Sequence, residues 1–161
     1  MAMLKASPQD CPVSQNLQNV LFLLFLALSI TGALSIYNLW GSLLTSVLDL
    51  AILYLFTQVL LSKKKERIHQ TLNAFLGTGI IISIVSSISS YAFPLDPNTQ
   101  TIPLGRVVAF YFILIWIVAA YGNIVKHATD TSLAVGMAIS FGYVIVNMIV
   151  IVTFIDLLGI T

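Results

Sequence analysis

Asp49 has the strongest claim to chemistry in this chain, because it stands near the middle of a long apolar run. A carboxylate at the centre of a membrane helix costs roughly 2.5 to 3.5 kcal/mol on insertion scales, and acids kept there face protein or a polar path. At three- and four-residue spacing Asp49 shares one helix face with Ser42, Thr45 and Ser46. Gly136, Ser140, Tyr143 and Asn147 form a second stripe at the same spacing near the other end of the chain. Asp49 stands about 12 Å along its helix from one membrane surface, and Asn147, counted up from the opposite surface, reaches a similar depth. The spacing therefore predicts a hydrogen bond between Asp49 and Asn147, with Tyr143 and Ser140 on the same contact face. Such an acid can pin two helices together, or it can bind a proton or a cation.

The remaining candidates carry blander readings. His69 and His127 fall at the cytoplasmic ends of helices 3 and 4, roughly level with each other, where two imidazoles can hold a haem or a metal in an electron-transfer or quinone-handling subunit. Both lie beside cations, Arg67 and Lys126, in a wet zone, so interfacial histidines are the preferred reading and no metal or cofactor is expected. Gly79, Ser83 and Ser87 recur every fourth residue, with Ser86 and Ser90 alongside. That small-xxx-small pattern lets helices approach closely. Membrane serines can satisfy their hydroxyls on their own backbone, which favours packing over an ion path. Phe110, Tyr111, Phe112, Trp116 and Tyr121 suit contact with lipid or a partner helix. The single cysteine, Cys11, cannot form an intramolecular disulfide or a Cys-based zinc site. No Gly-rich phosphate loop, HExxH helix or Ser-His-Asp order is present, and the chain is read as no enzyme.

The elements that position these residues follow from composition. Of 161 residues 58% are hydrophobic and 8% charged, against about a quarter charged in soluble domains. The net charge of +1 also argues against a nucleic-acid partner. Crossing a bilayer takes roughly 20 residues, so the apolar block 17–61 must turn back, and Tyr37 to Ser42 supplies turn formers and interfacial aromatics. The expected fold is all-α, a polytopic membrane protein with five transmembrane helices at about 17–37, 40–61, 68–91, 106–125 and 132–158. Residues 1–16 form a short tail and 17–161 a single transmembrane domain. Pro94, Pro97 and Pro103 mark the one real loop, and Lys126, His127 and Asp130 mark the break before the last helix. With five crossings, Lys5, Lys63, Lys64, Lys65, Arg67 and Lys126 fall on one side and Arg106 on the other. That bias places the N-terminus in the cytoplasm and the C-terminus outside. Lys63, Lys64, Lys65 and Arg67 act as a topology signal, compatible with binding anionic lipid head groups.

The five-helix pattern, the short tails and the run Trp116…Gly122-Asn123-Ile124-Val125-Lys126-His127-Ala128 before a small-residue-rich last helix together resemble the bacterial Yip1-type membrane proteins. The resemblance spans nearly the whole chain from the first helix and implies a membrane scaffold without catalysis. Eukaryotic members contact small GTPases through a longer N-terminal region than the 16 residues here. The leading functional expectation is a non-catalytic subunit or assembly scaffold of a larger membrane complex, with lipids and other membrane subunits as partners. A transporter or channel component using Asp49 is the alternative. The absence of an Arg- and Ser-rich leader favours the bacterial inner membrane.

Overall fold

The computed structural model describes residues 14–34, 37–94 and 102–159. Lys5 and Cys11, most of the expected amino-terminal tail, residues 35–36 of the expected first helix and the middle of the proline-rich connection, Pro97 included, lie outside these residues. Among the described residues five α-helices make up the fold: α1 (Gln15–Ala33), α2 (Leu39–Leu60), α3 (Ile68–Ala92), α4 (Leu104–Thr129) and α5 (Leu133–Leu158). All five are long and apolar enough to cross a membrane.

Local chemistry sets their ends. Ser14, Asn38 and Ser132 cap α1, α2 and α5, each accepting a bond from a backbone N–H three residues on; the Asn38 bond, to Gly41, is the shortest at 2.8 Å. The Asn38 cap starts α2 at Leu39, and α1 stops at Ala33, four residues before the expected boundary. Helix α4 runs past the expected break at 125 to Thr129, because Lys126 and His127 suit the negative end of a helix dipole and so extend its last turn. Asp130, with φ 60° and ψ 41°, then turns the chain in a left-handed conformation that few non-glycine residues adopt.

The helices form a closed circuit in the order α1, α3, α4, α5, α2, with α2 also touching α3 across the middle. Packing along this bundle is uneven. Buried residues of α3 stop at Ile82, those of α4 begin only at Ala120, and the large buried side chains of α2, Leu53 and Thr57, lie in its second half. One end of the bundle is thus dense. It is the end that carries Lys63, Lys64, Lys65, Arg67 and Lys126. The other end opens into two clefts, which share Ser29 and Gly32 of α1 as a common wall.

In lipid, apolar contact between helices gains little over contact with acyl chains, so close backbone approach and polar bonds must hold the bundle. The closest approach joins α4 and α5. A Cβ on Gly136 would strike the Gly122 carbonyl oxygen, and one on Gly122 would come within 2.9 Å of the Met137 backbone. Between α1 and α3 the aromatic ring of Phe25 fills the space over Gly79, at 2.6 Å from where a Cβ would stand.

Candidate functional site

Asp49 and Asn147 meet. Asn147 Nδ2 donates to Asp49 Oδ1 at 2.6 Å and also to the Tyr143 hydroxyl oxygen at 3.2 Å. The antiparallel course of α2 and α5 sets this register, and Phe56, seven residues further down α2, stacks on Tyr143 with ring centroids 4.5 Å apart. Ser42, Thr45 and Ser46 on the same face of α2 are buried, as are Gly136, Ser140 and Tyr143 on α5. The Thr45 hydroxyl donates to the Gly41 carbonyl at 2.8 Å, so it is satisfied within its own helix.

Below the polar pair lies a four-ring aromatic cluster to which four helices contribute one ring each. Phe56 of α2, Phe75 of α3, Tyr121 of α4 and Tyr143 of α5 make a closed cycle with centroid separations of 5.9, 4.9, 6.0 and 4.5 Å. Each such pair contributes about 0.5 to 1.5 kcal/mol beyond area burial. The cluster holds Tyr143, and Tyr143 in turn helps orient the Asn147 amide. Sequence reasoning singled out Tyr121 only as one of several lipid- or partner-facing aromatics. In the structure Phe110, Tyr111 and Phe112 are exposed, whereas Tyr121 is buried in the cluster. The available signal was Tyr143, already assigned to a polar face, opposite Tyr121 on the neighbouring helix.

Acceptors outnumber donors at the pair. Asn147 has one NH₂ group, shared between Asp49 and Tyr143, while its own Oδ1 is buried with no partner among the described residues. Buried acceptors are costly to leave without a donor. A cleft of about 430 Å³ between α1, α2 and α5 runs to this point, with Asp49 and Asn147 in its lining and Ile151 and Val152 in its apolar wall. An occupant that donates hydrogen bonds or carries positive charge would complete the site.

No protein-family model, curated protein or solved structure matches this chain.

A second polar constellation ties the dense end together. Lys64 Nζ lies 2.6 Å from Asp130 Oδ2, and Arg67 Nη1 lies 2.9 Å from the same oxygen. Lys64 also donates to the Thr129 carbonyl at 3.0 Å, and Arg67 to that of Ala128 at 3.2 Å. The last carbonyls of a helix lack intrahelical donors. Two cations from the α2–α3 connection supply them here. The hydrogen bonds from Lys64 and then from Arg67 hold the Asp130 carboxyl below the usual carboxylate range. Of the basic run read as a topology or lipid signal, Lys64 and Arg67 thus also act as a clamp on α4, which linear order gave no means to see. Lys63 and Lys65 make no such contact among the described residues.

The helix-packing stripe on α3 divides. Gly79 packs against α1 and α4, and Ser83 and Ser87 stand in the lining of the second cleft, further along α3 from the Phe25–Gly79 level. The Ser87 hydroxyl donates to the Ser83 carbonyl at 2.8 Å. His69 Nδ1 lies 2.9 Å from Gln18 Oε1 and so joins α3 to α1. Among the described residues no group of three or more His, Cys, Asp and Glu side chains could hold a metal ion.

Proposed function

We propose that this chain is a non-catalytic subunit or assembly scaffold of a larger membrane complex, seated in a bacterial inner membrane with its N-terminus in the cytoplasm. The observation that carries the reading is the acceptor-rich Asp49–Asn147 pair at the base of an open, apolar-walled cleft between α1 and α5. A transmembrane helix of a partner subunit that brings a Lys, Arg or hydroxyl side chain into the cleft would complete the hydrogen bonding and cover the apolar wall in one step. The orientation rests on the basic residues, five of which cluster at the dense end of the bundle while Arg106 stands at the other. The Yip1-type resemblance points the same way, towards a scaffold.

Purification of the tagged chain from its native membrane in mild detergent tests this reading. Stoichiometric partner subunits are expected, and Asp49→Leu should release them while the chain itself stays folded. A monodisperse chain without partners would overturn it.

The same cleft supports a second reading, in which Asp49 binds a proton or a small cation for transport. Proteoliposomes distinguish the two. Uptake that disappears in Asp49→Asn would favour transport, whereas a scaffold shows no uptake in either form.

A further inference from the structure

The second cleft, of about 630 Å³, lies between α1 and α3 at the loosely packed end and reaches the first turn of α4. Its lining changes character with depth. At the mouth stand Arg106, Tyr91 and Pro94; next come Ser90, Ser87 and Ser86 of α3 with Thr31 and Gly32 of α1; deepest are Leu28 and Ile82, with Ser29 and Ser83 beside them. From Ser90 to Ile82 the helix descends about 12 Å. We propose that this cleft is a binding site for one anionic phospholipid, with the phosphate at Arg106, the ester oxygens at the Ser86 and Ser90 hydroxyls and an acyl chain along Leu28 and Ile82.

Three observations support the assignment. Arg106 is half-buried, yet both ion pairs among the described residues lie at the opposite end of the bundle, and Arg106 makes no side-chain hydrogen bond among the described residues. It also sits in the first turn of α4, which has no side-chain cap, so the positive end of the helix dipole adds to its charge instead of opposing it. A phosphate relieves both. Guanidinium groups bind phosphate oxygens through paired, charge-assisted hydrogen bonds. The hydroxyls of Ser86 and Ser90 find no acceptor side chain among the described residues, and the ester carbonyls of a lipid are acceptors at the matching depth. Finally, within the lining the cation stands at the mouth and the leucine and isoleucine stand at the deep end, which matches the order of phosphate and acyl chain in a phospholipid. A free phosphate would use only the first of these, and a partner helix would find no use for the gradient. The proposal is independent of the scaffold reading, since the cleft at Asp49 lies on the other side of α1.

Native mass spectrometry of the full chain in mild detergent, titrated with phosphatidylglycerol or phosphatidylcholine, tests it. Phosphatidylglycerol should form a single retained adduct and phosphatidylcholine a much weaker one. Arg106→Gln should weaken the adduct at least about tenfold, and Arg106→Lys less, because Lys keeps the charge but not the paired bonds. The double variant Ser86→Ala, Ser90→Ala should weaken it by a smaller factor. If Arg106→Gln fails to fold, the Lys and serine variants still decide. Three results would overturn the proposal: equal adducts with both lipids, an adduct lost in Lys63→Gln, Lys65→Gln, Lys126→Gln but kept in Arg106→Gln, or displacement of the lipid by millimolar inorganic phosphate.

Discussion

Asn147 is the residue on which the polar contact turns, because its one amide serves both Asp49 and Tyr143. Asn147→Leu leaves a half-buried carboxyl group without its donor, and a loss of about 1 to 2 kcal/mol of stability is expected, in the upper range of measured interhelical hydrogen bonds. Asp49→Asn keeps an acceptor opposite Asn147 and should cost less. Thermal unfolding of the two variants in the same detergent checks the order; equal losses would mean that the carboxylate, not the hydrogen bond, matters. Gly136 makes a sharper case. A methyl group there meets the Gly122 carbonyl oxygen and comes within 3.1 Å of the Lys126 nitrogen, both backbone atoms that cannot step aside. Gly136→Ala should therefore cost about 1 to 3 kcal/mol, whereas Gly142→Ala, with nothing within 4 Å of the new Cβ, should stay within about 0.5 kcal/mol of the parent.

At the scale of elements, the α2–α3 connection and the end of α4 behave as one unit. Lys64 and Arg67 bind the carbonyls of residues that close α4 and the Asp130 carboxylate beyond them. Because the folded-state value of Asp130 lies below its unfolded value of about 3.9, its contribution to stability is fully present above that pH. It is lost as pH falls through the folded value. Comparison of the unfolding temperature of the parent and Asp130→Asn should show a gap at neutral pH that closes in strong acid. The gap should also narrow at high salt, since Asp130 is exposed and such pairs are screened. A gap independent of both would assign the effect to the left-handed backbone at Asp130 instead.

Across the whole molecule, density at one end and clefts at the other imply unequal mobility. Hydrogen exchange in detergent should be slowest in Thr71–Gly79 of α3 and Ala120–Ala128 of α4, and faster in the last turns of α1, which line both clefts. Uniform protection along α1 would argue against two clefts meeting at that helix. The charge bias makes a separate statement at this scale. A cysteine placed at Lys65 should react with a membrane-impermeant reagent only from the cytoplasmic side, and one placed at Ile102 only from the outside. Opposite labelling would reverse the orientation proposed for the chain.

The number of helices was legible in the sequence because crossing a bilayer imposes a minimum apolar length and breaks between spans, both of which are local properties. The face of Asp49 was legible for a related reason: four residues at helical spacing share a side whatever the neighbours do. Boundaries were less so. The Asn38 cap and the extension of α4 to Thr129 depend on single side chains and on cations that arrive from another part of the chain. What only the tertiary structure decided is who faces whom. Tyr121 and Tyr143 stand in one aromatic cluster, Lys64 and Arg67 clamp a helix some sixty residues away, and Ser83 lines a cleft. Nearly every surface of these helices is apolar, so hydrophobicity cannot select a partner in lipid; shape and a few polar bonds do, and both exist only once the helices are side by side.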